Sequence, residues 1–200
     1  MSLSSNDETS NIPTEPQQNA SDDNTSTPKE NLPPLTPDQF RIYNRLADQM
    51  KYFHDHFIQI HSTLYNACLA NKRPANMSLK QFLDEGLRLI RYLEAHHSIE
   101  ETHLYPLLAR KMPQFGKKNK KDCCELLKQH KEIHEGMDKL EGYLRGCKSG
   151  KEEFEMGKMK ELMEGWREVL MRHLDEEVDE LGAERMRSVW SLEEMRGLPI

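Results

Sequence analysis

The chain has 200 residues, a formal net charge of −6, 36% apolar and 31% charged residues. Its acidic balance argues against a protein that grips nucleic acid by neutralising phosphates. No apolar run nears the roughly 20 residues that span a bilayer, so neither a nucleic-acid nor a membrane partner is expected.

Residues 1–34 are rich in Ser, Asn, Asp, Thr and Pro and hold almost nothing to bury, which predicts a disordered acidic and polar tail. The first residues lack the apolar centre of a signal peptide, and a cytoplasmic location follows, with the nucleus as the alternative. Cys68, Cys123, Cys124 and Cys147 show no metal-clip spacing and are expected as reduced thiols. Lys117, Lys118, Lys120 and Lys121 read as a solvated loop.

From 35 to 182 the pattern is one of four long amphipathic helices. The first opens at Thr36-Pro37, a cap followed by proline at the first helical position, and runs to about Ala70. Its apolar stripe is Ile42, Leu46, Met50, Phe53, Phe57, Leu64 and Cys68. Ser78 caps the second helix, which continues to about Lys111, with Pro106 positioned to kink or tighten its last turn. The third runs from about Lys121 to Cys147 and stops at Ser149-Gly150. The fourth spans about Phe154 to Leu181. Residues 183–200 form an extension with one short helix, Ser188 to Met195, whose Trp190 and Leu192 pack back on the rest. Long helices joined by short loops predict an all-α, antiparallel up-down-up-down four-helix bundle, monomeric.

The nine histidines carry the functional signal. Taken singly, each reads as a core or surface residue, but every helix of the predicted bundle supplies at least one. Residues four apart project from one helix face. His96 and Glu100 have that spacing, as do His130 and His134, and His173 and Glu177, while His54 lies on the inward stripe of the first helix. Counting rise per residue, His54 and His96 come level in antiparallel packing, and so do His130 and His173. Two buried carboxylates need a compensating charge, and two divalent cations would supply it. A nitrogen-rich donor set suits iron, zinc or copper rather than calcium or magnesium. His97 with Glu101 is an alternative to His96 with Glu100, and Glu176 to Glu177. His56 is expected exposed and His61 a core residue. His103, seven residues after His96, is expected to face inward at the level of Glu180, either paired with it or with both half-exposed and unpaired.

The segment His96-His97-Ser98-Ile99-Glu100-Glu101 followed by Leu104-Tyr105-Pro106 resembles the H-x-x-x-E-E motif of hemerythrin-like (HHE) proteins. Gln129-His130 with His134, and His173 to Glu177, resemble its third- and fourth-helix motifs. His54-Asp55 with Leu64-Tyr65 is similar to the fungal type. The resemblance covers about residues 40 to 181 and implies two non-haem iron ions, bridged by an oxo or hydroxo group, with zinc as a possible substitute. It gives His130, His134 and His173 to one iron and His54 and His96 to the other, with Glu100 and Glu177 bridging. It also places Val169 and Leu170 on the apolar wall of an oxygen pocket. Oxygen carriers of the family have Asp where Val178 stands here, so the resemblance implies a protein that binds or senses dioxygen or iron rather than a dedicated carrier. Peroxide or nitric-oxide chemistry, or iron buffering, are the alternatives at the same centre. A metal-free helical interaction module is the alternative without one. A ferritin-like oxidase is disfavoured, since both Glu-x-x-His pairs fall on the second helix. A zincin is excluded, since His130-Lys131-Glu132-Ile133-His134 misplaces its Glu.

Overall fold

The computed structural model describes residues 33–116 and 124–198. The tail expected over 1–34 falls almost wholly outside them, as do Lys117, Lys118, Lys120, Lys121 and Cys123. Every regular element among the described residues is helical: α1 (Pro37–Leu69), α2 (Leu79–Ile99), a π-helical turn (Glu100–Leu104), α3 (Tyr105–Leu108), a 3₁₀ turn (Pro113–Phe115), α4 (Glu125–Lys148), α5 (Met156–Glu180), α6 (Ala183–Val189) and α7 (Leu192–Gly197).

The helix ends follow local chemistry. Thr36 and Ser78 both form capping boxes, the side-chain oxygen accepting from the third residue's N–H while Gln39 or Gln81 reaches back; each box satisfies two donors that a helix start leaves orphaned. At the other end of α4, Gly150 takes the left-handed conformation at φ +74°, and Lys151 N–H donates back to the Gly146 carbonyl, as expected of a glycine stop.

α1 packs between α2 and α5, and α4 closes the square against the same two helices, giving the four-helix bundle. α4 and α5 approach closely at Gly136, where a Cβ would lie 2.4 Å from the Trp166 ring. Two apolar cores fill the bundle. One holds Phe57, Leu64, Phe82, Leu93, Ile133 and Leu170 among others; the second holds Met50, Tyr105, Leu108, Phe115, Leu181 and Trp190. Between them lies a layer of buried polar side chains: His54, His97, Glu100, His130, His173 and Glu177. No described helix is long and apolar enough to cross a membrane.

Three expectations are corrected. The last turn tightens, Arg110 and Lys111 N–H reaching only three residues back to the Leu107 and Leu108 carbonyls, but the second helix is not a continuous α-helix up to Pro106. The helix widens just before it, with Tyr105 N–H reaching back five residues to the Glu100 carbonyl; such a π turn relieves the crowding that a proline imposes on the preceding turn. The C-terminal extension holds two short helices rather than one, because Gly182 restarts a helix at once and the Ser191–Glu194 capping box starts another. Trp190 between them is buried as expected, and Arg45 Nη2 ties the segment to α1 through the Met195 and Leu198 carbonyls. Finally, His103 does not meet Glu180. It is exposed, and Glu180 binds Gln114 and Arg185 instead. The wide turn lags behind α-helical rotation, so the seven-residue spacing from His96 no longer returns to the same face.

Candidate metal centre

Each helix delivers its polar residues to one level because apolar residues bracket them. Met50 and Phe57 flank His54 on α1, Leu126 and Ile133 flank His130 on α4, and Leu170 and Leu181 flank the His173–Glu177 pair on α5. Hydrophobic packing above and below therefore fixes the height of each donor.

Two groups of potential metal-ligating atoms result, each with atoms within 4.8 Å of one another: His97, Glu100, His130 and His173; and His54, His96, Glu100 and Glu177. Glu100 belongs to both. Its Oε1 lies 2.7 Å from His96 Nε2 and its Oε2 lies 3.4 Å from His130 Nε2. Glu177 Oε2 also faces both groups, 3.4 Å from His54 Nε2 and 3.8 Å from His173 Nε2.

The hydrogen bonds behind the rings determine which nitrogen carries the proton. His130 Nδ1 lies 2.8 Å from Glu101 Oε1, and a carboxylate can only accept, so Nδ1 is the donor. His54 Nδ1 donates to the Leu174 carbonyl at 3.0 Å. His173 Nδ1 donates to Gln129 Oε1 at 3.1 Å, and that amide is oriented by its own N–H₂ donating to Glu176 at 2.6 Å. All three rings, when neutral, then present bare Nε2 lone pairs to the interior. His130 Nε2 and His173 Nε2 face each other at 3.2 Å, and His54 Nε2 faces His96 Nε2 at 3.2 Å. His97 follows the same pattern if Nδ1 donates to His134 Nε2 at 3.3 Å; its own Nε2 is buried without a partner. The carboxylate oxygens of Glu100 and Glu177 are also buried and accept no hydrogen bond.

This is a costly arrangement for protein groups alone, since lone pairs oppose lone pairs and two carboxylates are desolvated. Burial, and then the neighbouring charge of Glu177, pushes the Glu100 carboxyl well above its usual range. Burial holds His96 down and, reinforced by His130, holds His97 well down. His173 is lowered to about 3, mainly by burial. Neutral imidazoles and unpaired carboxylates converging on two points are the donor chemistry that divalent metal ions require, so the residues present fit a pair of cations.

Of the seven donors expected from sequence, six meet here: His54, His96, Glu100, His130, His173 and Glu177. His134 stands one layer out, half-buried behind His97. His56 is exposed and His61 lies in the apolar core, 5.9 Å from the Trp166 ring. Leu170 and Val169 are buried in the first core. Sequence reasoning gave no role to Gln129 or Tyr105. Tyr105 stacks on His130 with its hydroxyl 3.4 Å from Nε2, and burial pushes that hydroxyl's pKa well up. Both adjoin a motif, yet no periodicity marks a residue whose role is to hold a neighbour's ring.

The family model described as the hemerythrin HHE cation-binding domain matches residues 45–184, more than half of the chain. No curated protein and no solved structure matches it.

Proposed function

This chain belongs to the hemerythrin HHE cation-binding family, and on that premise we propose that it holds two non-haem iron ions and binds or senses dioxygen or iron through them. The observation that carries the reading is the pair of donor groups sharing Glu100, with bare imidazole nitrogens turned inward. Iron would supply a redox-active, ligand-accepting centre; zinc suits the same donors.

In this reading Glu100 and Glu177, whose oxygens face both donor groups, would be shared by the two ions. His130 and His173 would hold one ion, His54 and His96 the other. His97 completes the first set in place of His134. Its unpartnered Nε2 and the position of His134 behind its Nδ1 support that exchange. Glu101, Gln129 and the Leu174 carbonyl fix the tautomer and tilt of the rings in front of them, the usual task of groups behind metal ligands. Packing of Leu170 and Ile133 against the layer excludes water from that side.

Metal analysis with an optical spectrum of the aerobic protein tests the proposal. Two iron ions per chain and a near-ultraviolet band that disappears on reduction are expected. His130→Ala should lower the metal content and His56→Ala should leave it unchanged; equal content in both variants would overturn the assignment.

A further inference from the structure

The polar layer contains a hydroxyl that the donor groups do not use. His130 Nδ1 gives its proton to Glu101, so the neutral ring offers Nε2 as a bare lone pair. His173 Nε2, 3.2 Å away, is bare for the same reason, its Nδ1 donating to Gln129. The Tyr105 hydroxyl lies 3.4 Å from His130 Nε2. Because that nitrogen is bare, the phenol O–H is the donor of this contact. Among the described residues, no other hydroxyl lies within hydrogen-bond distance of a nitrogen in either donor group.

The fold holds the hydroxyl there from three directions. The Tyr105 ring is buried and stacks on His130, with centroids 5.5 Å apart and planes 19° apart. Phe115 backs it at 5.3 Å. The backbone contributes through the π turn, which Tyr105 N–H closes on the Glu100 carbonyl. In an α-helix a residue five places on stands about 140° round from its partner. A turn that closes over five residues instead brings Tyr105 back toward the face that carries Glu100. At 3.4 Å the contact is longer than the roughly 3 Å of a strong hydrogen bond, so it satisfies the nitrogen without locking it.

We propose that Tyr105 caps His130: its hydroxyl proton occupies the lone pair that a cation would take, and the two compete for the same nitrogen. The inference rests on the metal reading above and concerns how that site is filled. Without an ion, the cap relieves the opposition of bare nitrogens in the group of His97, Glu100, His130 and His173. An ion entering this group must displace the cap, so Tyr105 lowers the affinity of its own group. Glu177 is the next acceptor near the hydroxyl, but in that reading its oxygens are turned to the ions. The second group, around His54 and His96, has no hydroxyl to displace.

Tyr105→Phe tests the cap, since it keeps the stacked ring and removes only the O–H. In nitrogen NMR of the metal-free chain, His130 Nε2 should move toward the frequency of an unbonded imidazole nitrogen. An unmoved resonance overturns the cap. In calorimetric titration with zinc ion, one binding step should tighten about fivefold in the variant, the worth of a typical neutral hydrogen bond. The other step should stay within about twofold. Loss of a side chain that merely packs would loosen the group and weaken binding, so the sign separates the two roles. Unchanged or weaker zinc binding in Tyr105→Phe overturns the proposal and leaves the metal reading standing. Zinc binding by neither chain overturns the metal reading itself, and the competition with it.

Discussion

His61 and His173 are both almost fully buried histidines in the same bundle, yet they sit in opposite kinds of interior. His61 projects into the apolar core beside Trp166 and Tyr65, its Nε2 without a partner. Burial, helped by the charge of Arg167, lowers its pKa to about 4. His173 lies in the polar layer with Nδ1 held by Gln129, and its Nε2 faces another imidazole and a carboxylate. Burial alone keeps both rings neutral. A site arises only where outer hydrogen bonds aim several bare nitrogens at one point, which the core around His61 never does.

Chelation should have the largest effect and should act on the layer alone. At a thousandfold excess over its dissociation constant, a ligand of the folded state contributes about 4 kcal/mol, and a domain of this size shifts by about 2–4 °C per kcal/mol. Stripping the metal should therefore lower the melting temperature by on the order of 10 °C or more in scanning calorimetry. A melting temperature that does not move would make the layer as metal-independent as the core.

Next in size is the loss of a single ion. His97→Ala should leave one of two ions after dialysis, whereas His134→Ala should keep both with about 10–100-fold weaker binding, the usual cost of removing a group behind a ligand. The reverse result would return His134 to the metal.

The core side of the comparison is tested by pH. His61 has a folded-state pKa below its unfolded value of about 6.5. Its contribution to stability is fully present above 6.5 and is lost as pH falls toward about 4. That amounts to at most ~3 kcal/mol over the window. Urea unfolding at a series of pH values should show His61→Leu losing less stability between pH 6.5 and 4 than the parent chain. Parallel curves would mean that His61 does not titrate on unfolding.

The smallest effect should come from Glu101→Gln. The amide oxygen still accepts from His130 Nδ1 but without the negative charge, so metal affinity should fall by about 10-fold in competition with a chelator. No change would leave Glu101 outside the layer's support.

The helices and their ends were legible because they depend on neighbours in sequence: apolar spacing, Thr36-Pro37, Ser78, and Ser149-Gly150. The i, i+4 pairs likewise pointed His96, Glu100, His130, His173 and Glu177 toward one level, and the inward stripe of α1 added His54, since spacing on a helix face is a local property. The tertiary structure decided that both of two adjacent histidines turn a nitrogen toward the layer. His96 and His97 differ by about 100° on the helix, and both reach the layer, each in a different donor group. It also decided the wide turn at Glu100–Leu104. That turn brings Glu101 to His130 and leaves His103 exposed, away from the helical period on which its pairing with Glu180 depended. The polar layer between the two apolar cores is set by how four helices pack, and no spacing within one helix encodes that.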